Sequence, residues 1–306
     1  MHIIKLFFFL CLVSFIHAGD KITPSEVYSQ VIQIKKEIVV LKKYLNINTS
    51  VKNEQINSKL KPRHAWQKTY EIFIKINILR ASYNMPKIEP ANLQPVLNIN
   101  PILTYEQTQR ILTELRIFKT RLGINKQITH NQSFINKTPL DVYNELNNIS
   151  KELDLLNGTQ FNPSYVFGET IRIYKDLTTV LEHLNIKDTT IPTIRKNKAT
   201  PKDTFNVSMN ILSKIKYIQL VAGIEGIDFS SFKKEIITPS DVFGINEIIL
   251  AELQTIKAKL GLKNNITPAA KTYFHKTPSD VEQMLGWCLR RISLIKSLNP
   301  NQSEIL

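Results

Sequence analysis

TPSDV at Thr238–Val242 recurs unchanged at Thr277–Val281, 39 residues later. Six further segments share its layout: TPSEVY from Thr23, KPRHAW from Lys61, NPILTY from Asn100, TPLDVY from Thr138, NPSYVF from Asn162 and TPKDTF from Thr200. Each position has a reason to start a helix. Threonine or asparagine, absent only at Lys61, offers a side-chain oxygen to the unpaired amides of a first turn. Proline at the first helical position has its φ preset and no amide to leave unpaired. An acid three residues after the cap (Glu26, Asp141, Asp203, Asp241, Asp280) completes a capping box and faces the positive end of the helix dipole.

Behind each start, apolar residues follow a 4,3,4,3 spacing. The first copy reads Val27, Val31, Ile34, Ile38, Leu41, Leu45 and the seventh Val242, Asn246, Ile249, Leu253, Ile256, Leu260. A narrow stripe at 3.5 residues per turn is the seam of helices packing knobs into holes. Cys288 falls on the eighth seam between Leu285 and Ile292, which makes it a core thiol.

Successive starts are 38, 39, 38, 24, 38, 38 and 39 residues apart, so one short interval divides the chain. Copies one, two and four repeat at an offset of 139 and copy three at 138. Helix ends repeat as well. Tyr44-Leu45-Asn46-Ile47 is matched by His183-Leu184-Asn185-Ile186, and Leu122-Gly123-Ile124 by Leu260-Gly261-Leu262.

The expectation is an all-α chain of eight long helices, about 22 to 25 residues each, arising by tandem duplication. Two four-helix bundles would occupy residues 19–158 and 159–306, with one continuous helical-repeat array as the alternative. Connections of about 13 residues leave helix direction open. Only the short stretch from Gly158 to Phe161 demands an antiparallel turn.

Residues 1–18, MHIIKLFFFLCLVSFIHA, read as a signal peptide: a lysine, an apolar run too short to span a bilayer, and a small residue at Ala18. The mature protein is then expected to be secreted or periplasmic, with no transmembrane segment. Forty basic against 26 acidic residues favour anionic partners, yet the excess is spread along the chain. No metal or cofactor is expected, because His64, His130, His183 and His275 share no helix face and no Glu-x-x-His pair occurs.

No phosphate loop, nucleophile elbow or paired-carboxylate motif is present, which points away from an enzyme. The expected function is noncatalytic binding of a protein or small ligand in the cell envelope. Seven copies carry an aromatic residue five positions after the cap, read as plugs at the core ends. The candidate ligand residues are Trp66, Tyr105 and Phe243 from that series, with Glu282, which breaks it. The alternative is a basic surface for anionic polymers or membrane, built on Arg195, Lys196, Lys198 and Lys202.

Overall fold

Every proline start opens a helix in the computed structural model, which describes residues 22–129, 132–158, 161–232 and 234–298. In chain order these are α1 (Pro24–Tyr44), α2 (Pro62–Ser82), α3 (Pro101–Arg121), α4 (Pro139–Asn157), α5 (Pro163–His183), α6 (Pro201–Val221), α7 (Pro239–Lys259) and α8 (Pro278–Ile292). All regular structure among the described residues is helical, and no helix there is long and apolar enough to cross a membrane. The expected leader, residues 1–18, lies outside the described residues.

The caps form as the residues dictate. Thr138, Thr200 and Thr238 accept the N3 amide while the N3 aspartate accepts the cap amide, at 2.7–2.9 Å on the aspartate side. Lys61 cannot act this way, so the ring of His64 substitutes: its Nδ1 accepts the Lys61 amide at 2.8 Å.

The helices are 21 residues or shorter, less than the seam suggested, and all but α8 are stopped by a left-handed residue. Asn46, Asn84 and Asn185 and the glycines Gly123, Gly223 and Gly261 all take positive φ. The amide after each then turns back to a carbonyl five residues earlier, as from Ile47 to Lys42 (2.9 Å) and Ile186 to Leu181 (2.9 Å). That six-to-one bond satisfies an otherwise orphaned carbonyl.

Helix contacts fall into two rings of four. In the first, α1 and α2 each pack on both α3 and α4; in the second, α5 and α6 each pack on both α7 and α8. Pro24, Pro62, Pro101 and Pro139 meet with Val27, Ala65, Thr104 and Val142 around one small void, and the four later prolines meet likewise. All four helices of each bundle therefore run the same way, which settles the direction that the sequence left open.

Because the starts are level, residues equally far from their caps share a layer. Ile34, Ile72, Ile111 and Ile149 form one such layer and Ile38, Ile76, Leu115 and Leu153 the next, all buried. The second bundle carries one polar layer, where Ser208 donates to Asn246 Oδ1 (2.9 Å) and Asn246 donates to Thr170 (3.3 Å). A polar layer that is satisfied in only one register helps specify that register.

Parallel helices align their dipoles, which is unfavourable, and the end charges offset it: N3 acids at one end, Lys42, Lys43, Lys119 and Lys257 at the other. Ion pairs between neighbours reinforce the direction. The acid fourteen residues after one cap meets the base nineteen residues after the next, as in Glu37 with Lys119 (2.5 Å), Glu114 with Arg80 (2.7 Å), Glu152 with Lys42, and Asp176 with Lys257 (2.7 Å). Such flanking pairs select partner and orientation in coiled coils.

Each long connection must return along the whole bundle, about 31 Å for 21 helical residues, and 17 extended residues reach about 56 Å. They lie pinned on the helices. Asn144 of α4 takes both backbone groups of Ile56 (3.0 and 3.1 Å), and on α8 Trp287 donates to Thr190 (3.0 Å) and Gln283 to the Thr193 carbonyl (2.9 Å). Of the aromatics after the caps, Tyr143, Phe205 and Phe243 are buried in the core, whereas two others pin the connections. Tyr28 and Phe167 pack edge-on against the connection residues Phe134 and Tyr273, at 4.9 and 5.0 Å.

Candidate functional site

The two bundles meet through α2 and α7, which are antiparallel. Arg63 and His64 at the start of α2 reach Glu252 in the second half of α7, while Lys75 reaches Ser240 at the start of α7 (3.1 Å). Each helix spends its apolar seam inside its own bundle, so a second face is left to make this joint. That face carries charge. A Cβ on Gly244 would lie 2.9 Å from the Lys68 ammonium, so a side chain there would push that ammonium aside.

At one end of the joint, Glu252 accepts from Arg63 (2.8 and 3.1 Å), His64 Nε2 (2.5 Å) and Gln219 (2.5 Å). Burial pushes its carboxyl up, but the His64 bond and the Arg63 charge outweigh that and hold it at about 2. His64 takes the Lys61 amide on Nδ1, so its proton sits on Nε2 and the ring is neutral; burial lowers its pKa.

At the centre, Glu71 accepts from Lys68 (2.5 Å) and Ser150 (2.5 Å), and Lys75 lies 3.0 Å away. Burial raises this carboxyl and the two ammonium ions reverse it, again to about 2. Lys75 also pairs with Asp154 (2.8 Å), whose own pKa burial raises despite that partner. Next to this group, Arg172 of α5 donates to Glu169 (2.6 Å), approaches Glu247 (3.4 Å) and stacks 4.1 Å over the Tyr70 ring. Burial together with the Glu169 charge raises the Glu247 pKa well above the ordinary carboxylate range.

A cavity of about 150 Å³ opens beside Glu169. Tyr70 and Ile74 of α2, Tyr165 of α5, Phe243 of α7 and Tyr273 of the 260–277 connection supply its aromatic and aliphatic walls. Glu169 is fully buried in the wall, and its Oε1 has no hydrogen-bond donor among the described residues. The Tyr70 hydroxyl accepts the Ala270 amide (3.0 Å), which ties the connection to α2 across the joint. Lys87 and Lys271 also line the cavity and are exposed to solvent.

Of the residues singled out in the sequence, only Phe243 lines this cavity. Trp66 is buried on another side of the joint, in a void of about 20 Å³ with Arg63, Leu93 and Val96. Tyr105 lies in the first bundle, where its hydroxyl contacts Gln30 Nε2 (3.2 Å). Glu282 pairs with Lys196 (2.9 Å), and Arg195 pairs with Asp280 (2.8 Å), so half of the expected basic patch is engaged by carboxylates of α8. Lys198 and Lys202 are exposed. His130 lies outside the described residues.

Tyr70, Tyr165, Glu169 and Glu247 were not singled out from the sequence. A signal for the joint was present, since α7 carries Ile245, Ile248 and Leu250 off its seam, and a helix apolar on more than one stripe has a second partner. No protein-family model, no curated protein and no solved structure matches the chain.

Proposed function

We propose that this is an exported, noncatalytic binding protein of the cell envelope that takes a small ligand in the cavity between its two bundles. The observation that carries the reading is that cavity: aromatic walls around a fully buried carboxylate with an oxygen left unpaired. Buried polar atoms without partners are uncommon in native interiors, and they accumulate where a ligand completes the bonding. The titratable groups around it are locked in static ion pairs, which suits binding better than turnover.

Tandem duplication is part of the same proposal. Lys137 donates its amide to Ser25 (3.0 Å) and sits over Tyr28 (4.5 Å), while 139 residues later Lys276 donates to Ser164 (3.1 Å) and sits over Phe167 (4.6 Å). Two copies of one bundle, joined by unequal faces, create a cleft that neither would have alone.

A thermal-shift screen of small polar molecules against the wild type and Ala269→Trp tests the reading. Ala269 lines the cavity. A ligand at a hundred times its Kd should raise the wild-type melting temperature by about 5 °C and leave the filled variant unmoved. Shifts of equal size in both proteins, or none in either, count against the cavity.

A further inference from the structure

The chemical class of that ligand follows from the charge balance behind the cavity. Three buried cations, Lys68, Lys75 and Arg172, serve four buried or largely buried acids, Glu71, Asp154, Glu169 and Glu247. Arg63 and Glu252 balance one another further along the joint, beside a neutral His64. The group next to the cavity is therefore one cation short, and isolated negative charge is expensive in a dry interior.

The deficit is local to the cavity. Glu169 gives one oxygen to Arg172, while its Oε1 and the Oε2 of Glu247 have no donor among the side chains and amides described. Glu247 is faced from α5 by Glu169 and Arg172, and from α2 by Lys68, Tyr70 and Glu71. No further base stands within this group to neutralise it.

The cavity walls complement a cation. Faces of tyrosine and phenylalanine attract organic ammonium ions, more so where water is excluded, and a void of about 150 Å³ holds a benzene-sized body. Lys87 and Lys271 are exposed, where solvent and salt screen them.

Resting on the cavity reading above, we infer that the ligand is a small organic ammonium ion, its ammonium group on Glu169 and its apolar body against Tyr70, Tyr165, Phe243 and Tyr273. Binding exchanges one cation for another. In the empty site a proton held by Glu247 makes up the missing positive charge; the arriving ammonium ion brings its own, and that proton leaves Glu247 for solvent. Charge and atoms balance: protonated site plus R-NH3+ gives the R-NH3+ complex plus H+.

Benzylammonium, benzyl alcohol and benzoate, titrated calorimetrically into the wild type, Ala269→Trp and Glu247→Gln at pH 7 in phosphate and in Tris, test this. Benzylammonium should bind the wild type at least about tenfold more tightly than benzyl alcohol, the margin of a charge-assisted hydrogen bond. Its apparent enthalpy should differ between the two buffers by close to one released proton per ligand. Glu247→Gln, which has no proton to give, should bind more weakly and with no buffer dependence.

Tight benzylammonium binding with no buffer dependence in the wild type overturns the proton exchange. Benzyl alcohol or benzoate binding as well as the amine, and failing on Ala269→Trp, overturns the ammonium assignment while the cavity reading stands. If Ala269→Trp and the wild type behave alike toward all three probes, both readings fall.

Discussion

Glu71→Ala is expected to destabilise the protein by about 3–5 kcal/mol in urea unfolding, the cost of leaving a buried ion pair with one partner. The carboxylate is 1% exposed and holds two ammonium groups and the Ser150 hydroxyl. Its removal strands the buried Lys68 and leaves Lys75 with Asp154 as its charged partner, in the joint between α2, α4 and α7. Glu225→Ala is the control. Glu225 pairs with Lys61 at 2.9 Å but is largely exposed, so its removal should change stability far less. A loss below about 1 kcal/mol for Glu71→Ala would show that the joint contributes little to the fold.

Acid should open the same joint. Glu71 and Glu252 are both held at about 2 against an ordinary 4.5. A carboxylate whose pKa is depressed by folding contributes stability that is complete above 4.5 and is lost as pH falls through 2. At about 1.4 kcal/mol per pH unit, each is worth on the order of 3 kcal/mol. Glu247 works in the opposite sense: its raised pKa adds stability as pH falls toward 4.5, while His64, whose pKa burial lowers, takes stability away as pH falls below its ordinary 6.5. With those two contributions opposed, unfolding free energy should change little from pH 7 to 5 and fall steeply between 4.5 and 2. In the double variant Glu71→Gln/Glu252→Gln, already weaker at pH 7, that fall should flatten. An unchanged acid limb in the double variant would place the acid lability elsewhere.

The starts, stops and seams of the helices were legible in the sequence because each is written in local chemistry. A threonine, a proline and an acid within four residues leave the backbone few alternatives to a first turn. Asn46 or Gly123 does the same for a last one. Direction was harder to read, since a 4,3,4,3 stripe packs equally well in parallel and antiparallel bundles.

The information lay in a second column of charge. Glu37, Glu114, Glu152 and Asp176 stand fourteen residues after their caps, but only the bases at nineteen, Lys42, Arg80, Lys119 and Lys257, show which neighbour they meet. In an antiparallel bundle those two levels would not adjoin. The cavity was less legible still. It is made by α2 of one bundle, α5 and α7 of the other and a connection, and no spacing within one segment announces that Tyr70, Glu169 and Tyr273 will converge. Only Phe243 was anticipated, from its place near a helix start.

Parallel packing underlies everything argued here, because it sets which charged faces of α2 and α7 are free to meet. It is tested most directly by a distance between spin labels at Lys43→Cys and Arg121→Cys in a Cys288→Ala background. Both positions are exposed at the last turns of α1 and α3, where the Tyr44 hydroxyl donates to the Leu122 carbonyl at 2.9 Å. Parallel helices predict about 10–20 Å, one interhelix spacing plus the label arms. A distance of about 30 Å or more, the length of a 21-residue helix, would mean that α1 and α3 run in opposite directions and would contradict the account.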